Sequence, residues 1–147
     1  MADLNKELIV MLNKALEMEH QANIQYLAHA ELVKGLYAEK VIERLQEIAS
    51  DEAKHAEKLR NLIGNYLFGE PSMGIAPTHR ATEMTEILTV NTQSEKEAID
   101  FYKQIYKKIV DNKDKFPYAF NTLEHEIRHI ILDEESHIAE LAVLLGL

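Results

Sequence analysis

The stretch Asp51-Glu52-Ala53-Lys54-His55-Ala56-Glu57-Lys58-Leu59 sets an acid and a histidine three residues apart inside an apolar helical repeat, and Asp133-Glu134-Glu135-Ser136-His137-Ile138-Ala139-Glu140-Leu141 does the same. An α-helix brings residues i and i+3 onto one face, so each Glu-x-x-His directs a carboxylate and an imidazole at a single point. Working outward, Val41, Leu45 and Ile48 lead into the first stretch and Leu59 and Leu62 continue it. Phe120, Leu123, Ile127 and Ile130 lead into the second, and Leu141 and Leu144 continue it. Apolar residues that return every three or four positions mark an amphipathic helix and its buried stripe. Glu52, His55, Glu134 and His137 fall on that stripe.

Two further stretches have the same interruption. Leu8, Leu12 and Ala15 are followed at helical spacing by Glu19, then by Ala22, Tyr26, Ala30 and Val33; Leu88 precedes Glu95, and Ala98, Tyr102, Ile105 and Ile109 follow it. Turn residues are scarce, with five glycines and three prolines, and Gly64, Gly69, Pro71, Gly74 and Pro77 are crowded into one region. That composition does not suit a sandwich or barrel of many short strands. Gly35 and Pro117 mark the remaining breaks, which leaves helical stretches of about 4–34, 37–63, 83–111 and 117–145. Short links force antiparallel hairpins, while a loop of about 64–82 is long enough to cross a bundle. The expected fold is all-α: a four-helix bundle of two antiparallel hairpins joined by a long crossover, one domain over residues 1–147.

Ionised carboxylates cost several kcal/mol each to bury unless they are paired or bound to metal, and four in one layer also repel one another. A cation is therefore expected among them. One Glu from each of two helices plus a Glu-x-x-His from each of the other two is the ligand set of a dinuclear carboxylate site in a bundle core. Here that set is Glu19, Glu52, His55, Glu95, Glu134 and His137. Oxygen and imidazole donors without thiolate suit iron or manganese, with zinc as an opportunist. The halves match further, because Tyr26 follows Glu19 and Tyr102 follows Glu95 at the same interval. These tyrosines are candidates to hydrogen-bond the ligand carboxylates or supply electrons, the alternative being ordinary core aromatics.

Glu-x-x-His by itself is a weak signal, since a chain of this composition holds about one by chance. Helical phase separates the candidates from the decoys: Glu17…His20 and Glu126…His129 lie off the apolar stripes and read as solvated surface. His125 and His129, one turn apart, read as exposed helix histidines, with an accessory metal site as the alternative.

Sixteen Lys and Arg against 25 Asp and Glu leave a formal charge of −9, which disfavours nucleic acid and anionic membrane as partners. Cysteine is absent, which excludes disulfides, zinc fingers, thiolate-held iron–sulfur centres and thiol catalysis. The start, Met1-Ala2-Asp3-Leu4-Asn5-Lys6-Glu7, lacks the basic and apolar pattern of a leader, and no long uncharged apolar window follows. A cytoplasmic protein is expected.

The run Leu12-Asn13-Lys14-Ala15-Leu16-Glu17-Met18-Glu19-His20-Gln21-Ala22-Asn23-Ile24-Gln25-Tyr26, with the two Asp-Glu stretches quoted above, resembles the bacterioferritins and wider ferritin-like di-iron proteins over nearly the whole chain. The resemblance implies that Glu52 and Glu134 bridge two irons, with Glu19 and His55 completing one ligand set and Glu95 and His137 the other. It implies oxidation of Fe(II) by O₂ or H₂O₂, either to store ferric mineral or to remove the oxidant, in a homo-oligomer of at least two chains. Bacterioferritins take haem through a methionine directly after the first Glu-x-x-His glutamate; Ala53 stands there, so haem is not expected, and Met11, Met18, Met73 and Met84 are the other methionines it would need. Rubrerythrins carry an extra glutamate three residues after the third-helix ligand, where this chain has Ala98, and usually a cysteine-bearing rubredoxin segment. Ten residues after His137 are too few for the short fifth helix that ferritins use in cage assembly. A storage or detoxification ferroxidase is the leading reading, with Glu43, Glu47 and Asp51 as candidate cavity acids. A small non-storing di-metal oxidase or peroxidase of rubrerythrin-like type comes second, and a helical interaction module with a structural metal third.

Overall fold

The computed structural model describes residues 2–147 and contains four long helices. Helix α1 runs Ala2–Ala30, α2 Ala38–Asn61, α3 Met84–Asp111 and α4 Phe120–Leu145. Helix α1 packs along α2 and α3 along α4, and the two hairpins meet chiefly through α1 with α3 and α2 with α4. The all-α bundle of two hairpins with a crossover is the architecture expected from the hydrophobic stripes. Among the described residues no helix is long and apolar enough to cross a membrane.

Helix ends differ from the sequence expectation in three places. Helix α1 stops at Ala30, four residues early, because the amides of Glu31 and Leu32 turn back to the carbonyls of Ala28 and His29 in tighter bonds. The chain then reverses through Gly35 at φ 96°, a conformation that glycine adopts without steric cost. Beyond Asn61, α2 widens into a π-helical turn, Leu62–Tyr66, closed by Leu67 N–H to the carbonyl of Leu62. Leu62, Ile63 and Leu67 are all in the core. Helix α4 begins at Phe120, after a short 3₁₀ turn at Lys113–Lys115, because buried Phe116 draws the link inward before the helix can start.

The core is divided. Leu8, Leu12, Leu16, Leu59, Ile105, Ile109, Leu123 and Ile127 form one apolar cluster, and Val41, Leu45, Ile48, Ile87, Leu88 and Leu141 form a second. Each such side chain stabilises the fold by about 1.5–3 kcal/mol on burial. The expected acidic residues lie in the layer between them.

The crossover is fastened along α1 by polar residues one turn apart. Asn13 donates to Glu70 O at 3.0 Å and accepts from Ser72 N at 2.8 Å, and the hydroxyl of Ser72 donates to the Glu17 carboxylate. His20 Nδ1 donates to Gly74 O at 2.7 Å, and the Glu17 carbonyl accepts from Ala76 N at 3.0 Å. Glu17 and His20 are thus not solvated surface: a Glu-x-x-His off the core stripe holds the crossover to the bundle. The segment passes so close that a Cβ at Gly69 would meet Ile9 at 2.8 Å.

Candidate metal centre

Four helices each deliver a mid-helix carboxylate to one layer. Glu19 comes from α1, Glu52 and His55 from α2, Glu95 from α3, and Glu134 and His137 from α4; all six are 2% exposed or less. Their donor atoms form two groups, Glu19–Glu52–His55–Glu134 and Glu52–Glu95–Glu134–His137, each with all its donors within 4.8 Å of one another. Glu52 and Glu134 belong to both groups. His55 Nδ1 lies 3.0 Å from Glu19, 3.2 Å from Glu52 and 3.2 Å from Glu134. His137 Nδ1 lies 3.4 Å from Glu134, 3.5 Å from Glu52 and 3.5 Å from Glu95. The two halves of the chain make two equivalent positions that share two carboxylates.

Two aspartates that the spacing argument did not select complete the arrangement. His55 Nε2 donates to Asp133 at 2.8 Å and His137 Nε2 donates to Asp51 at 3.0 Å. A carboxylate can only accept, so each ring carries a hydrogen on Nε2 and turns Nδ1 toward the glutamates, His55 Nδ1 lying at hydrogen-bond distance, 3.0 Å, from Glu19. The signal was present in the sequence as an Asp directly before each Glu of the in-phase pairs. It was not readable as such, because the partner histidine belongs to the opposite hairpin. Asp51 faces His137, and Glu43 and Glu47 sit on the exposed face of α2 beside Lys40 and Arg44, so these three acids do not converge.

Burial dominates the electrostatics. It pushes Glu19 up to about 7 and Glu52 and Glu95 well above the usual carboxylate range, the charge of Glu134 adding to each. Burial would raise Glu134 too, yet the imidazoles of His137 and His55, 3.4 and 3.2 Å away, hold it below that range. Burial alone would lower both imidazoles, but their carboxylate partners, Glu134 foremost, raise them, His137 to about 11. Without metal, protons supply the positive charge that this layer requires. Even so, Glu52 Oε1, Glu95 Oε2, both oxygens of Glu134 and Nδ1 of His137 remain buried without a hydrogen bond. Buried unpaired acceptors are costly, and so many lone pairs around two points fit a pair of cations.

The tyrosines break the symmetry. Tyr26 OH donates to Glu95 Oε1 at 2.8 Å, reaching the other hairpin's glutamate, whereas the equally buried Tyr102 OH has no hydrogen-bond partner. Burial and the nearby carboxylates, Glu95 first for Tyr26 and Glu19 first for Tyr102, raise both phenols well above their ordinary value. Both are therefore neutral.

Among the described residues no other such cluster of acids and histidines occurs. His125 and His129 lie with ring centroids 4.1 Å apart and their planes tilted by 32°, without a third donor, and Glu126 pairs with Lys58 at 3.6 Å. Ala53 lines a cavity of about 430 Å³ between α1, α2 and the crossover, where Met73 is the methionine beside it and Glu19 reaches the floor. Met11, Met18 and Met84 pack against the apolar clusters.

A family profile described as a ferritin-like domain matches residues 9–147. Among solved structures, a ferritin-like, diiron-carboxylate protein from Bacillus anthracis is 30% identical with a TM-score of 0.89, the match covering 99% of both chains. A dodecameric thioferritin, the bacterioferritin-related protein of Bacteroides fragilis, is 27% identical with a TM-score of 0.81 over 97% of this chain and 86% of that one. Rhodobacter capsulatus bacterioferritin shares the fold at 23% identity, with a TM-score of 0.82 over 96% of this chain and 84% of that one. No curated protein matches.

Proposed function

As this chain belongs to the ferritin-like family, we propose that it is a di-iron ferroxidase, which takes Fe(II) as substrate and oxidises it with O₂ or H₂O₂ for iron storage or detoxification. The observation that carries this reading is the pair of buried donor groups sharing Glu52 and Glu134, whose unpaired oxygens fit two cations.

In this reading Glu19 and His55 would hold one iron and Glu95 and His137 the other, with Glu52 and Glu134 available to both. Two irons so held supply one-electron redox chemistry at each ion, with hard oxygen donors favouring the ferric state. The protein's own part is positional. Asp133 and Asp51 keep the Nδ1 lone pairs of the histidines turned inward. Tyr26 donates to Glu95 and limits how that carboxylate can swing. Leu16, Ile48 and Ile130 on either side exclude bulk water from the layer. Glu19, which also reaches the floor of the 430 Å³ cavity, is the carboxylate placed to meet an incoming ion.

The same reading takes manganese or zinc as competitors for the sites, the cytoplasm as the compartment and no haem at Ala53. A homo-oligomer is supported by the apolar rim of Ile24, Met73 and Ile75, which are 44%, 92% and 55% exposed, and by the dodecameric assembly of the Bacteroides fragilis relative. The test is aerobic addition of Fe(II) with ferric absorbance followed in the near ultraviolet. Oxidation above the protein-free blank that is lost in Glu52→Ala supports the ferroxidase, and no excess oxidation overturns it. Size-exclusion chromatography separates the two uses of the site, because a stable monomer or dimer has no cavity for mineral and favours a non-storing oxidase or peroxidase.

A further inference from the structure

Among the described residues ten polar side chains are buried, and four of them, Gln21, Gln25, His29 and Asn91, belong to none of the donor groups above. Three of them close a ring of hydrogen bonds through the backbone of His79 in the crossover. His79 N donates to Gln25 Oε1 at 2.7 Å, and Gln25 Nε2 donates to Asn91 Oδ1 at 2.9 Å. Asn91 Nδ2 donates to His29 Nδ1 at 2.9 Å, and His29 Nε2 donates to His79 O at 2.9 Å. A backbone N–H can only donate and a carbonyl can only accept, so His79 fixes the ring from both ends. Every amide and the histidine tautomer then has a single allowed orientation.

The ring adjoins the metal centre. A cavity of about 20 Å³ is lined by Gln21, Gln25 and Asn91 together with Glu52, Glu95 and Glu134. That is room for one water-sized guest with polar partners around it. Asn91 uses its second N–H on the carbonyl of Ile87 at 2.8 Å, whereas Gln25 has one N–H free of any protein partner. Gln25 is therefore the ring member with a spare donor, and Gln21, which lines the same cavity, holds the Gln25 oxygen by donating to it at 2.7 Å.

The metal ligands repeat from one half of the chain to the other, but the ring does not. Counted from Glu95 as they are from Glu19, the positions of Gln25 and His29 are taken by Phe101 and Ile105, and the position of Asn91 counted back from Glu19 is Ala15. The ring closes through the crossover, which the chain makes once, and so it stands on one side of the site only.

Building on the dinuclear reading above, we propose that Gln25 binds a small oxygen-bearing guest, a single water or a dioxygen-sized molecule, in this cavity beside the metal ions, and that His29 and Asn91 are positioning residues that keep its amide donating. Two measurements test it. In the metal-free full chain, isotope-edited NMR should show the Gln25 side-chain amide in contact with a bound water and the His29 ring as the Nε2–H tautomer. Absence of that water, or the opposite tautomer, overturns the proposal whatever the metal centre does. In protein loaded anaerobically with Fe(II), nitric oxide is the probe for a dioxygen-sized guest, followed by its electron paramagnetic resonance signal. Gln25→Leu should weaken nitric oxide binding about tenfold, the value of one hydrogen bond, with metal stoichiometry unchanged. His29→Leu should weaken it less, and Ile105→Val, on the apolar side of the layer, should leave it unchanged. Unaltered affinity in Gln25→Leu, or an equal loss in Ile105→Val, overturns the proposal. A chain that binds no Fe(II) sinks the di-iron reading, while the NMR experiment still decides the ring.

Discussion

His55 of α2 donates its outer ring nitrogen to Asp133 of α4 at 2.8 Å, so the hydrogen bond that orients one proposed ligand comes from the opposite hairpin. The relation is reciprocal, since His137 of α4 donates to Asp51 of α2 at 3.0 Å. Each hairpin orients the other's histidine.

Removing one of these aspartates should therefore weaken metal binding while the bundle stays folded. Asp133 and Asp51 have side chains 51% and 43% exposed, so their loss costs little packing. Asp133→Asn is expected to lower metal affinity by about 10–100-fold. Anaerobic Fe(II) titration checks it, and an unchanged binding curve with a normal helical spectrum would count against the orienting role.

Glu52→Gln should make the metal-free protein more stable while removing two-metal binding. Burial and the charges of Glu134 and Glu19 press this carboxyl far above its ordinary range, so a neutral isostere relieves strain that metal otherwise relieves. A gain of about 1–3 kcal/mol is expected, because the amide spares the proton that this raised carboxyl must take up on folding at neutral pH. Denaturant melts in chelator measure it; a loss of stability would mean that the carboxyl is already well satisfied without metal.

Acidity should act on the metal-free protein with a definite sign. Glu19 is raised from 4.5 to about 7, so across that window the folded state holds a proton that the unfolded chain releases. Stability from this group is present below about 4.5 and is lost as pH rises through about 7. His29, lowered mainly by burial, acts oppositely, losing stability as pH falls, but it does so equally in parent and variant. Melts in chelator from pH 5 to 8 should therefore show a steeper decline with rising pH in the parent than in Glu19→Gln. Parallel slopes would refute the assignment. Apparent metal affinity should rise with pH over the same range, because the ion must displace protons from Glu19 and from His137, which is raised to about 11.

The two tyrosines should respond differently to loss of the hydroxyl. Tyr26→Phe removes a 2.8 Å bond to Glu95 and is expected to cost about 1 kcal/mol, whereas Tyr102→Phe removes a buried hydroxyl with no partner and should be neutral or mildly stabilising. Paired urea melts decide this, and equal destabilisation would mean that the hydroxyls are equivalent.

The helices and the six buried donors were legible because burial imposes periodicity. Glu19 follows Ala15 and Glu52 follows Ile48 at the spacing of the apolar stripe, so an acid in that phase must enter the core. Asp51 and Asp133 were not legible, since each lies outside the stripe and acts on a histidine far along the chain. Glu17 and His20 misled for the same reason. Their phase excludes the core, and only the path of the crossover gives them partners at Ser72 and Gly74.

What the sequence by itself determined is therefore the set of groups that must leave water: helical phase is a local property, and it put four glutamates and two histidines into one layer. What only the tertiary structure decided is how those groups meet. The sharing of Glu52 and Glu134 between two donor groups, the exchange of Asp51 and Asp133 between hairpins, and the ring through His79 all depend on contacts between elements distant in sequence. A helix repeat fixes the face on which a side chain lies, but the packing of four helices and the course of the crossover fix what that face meets.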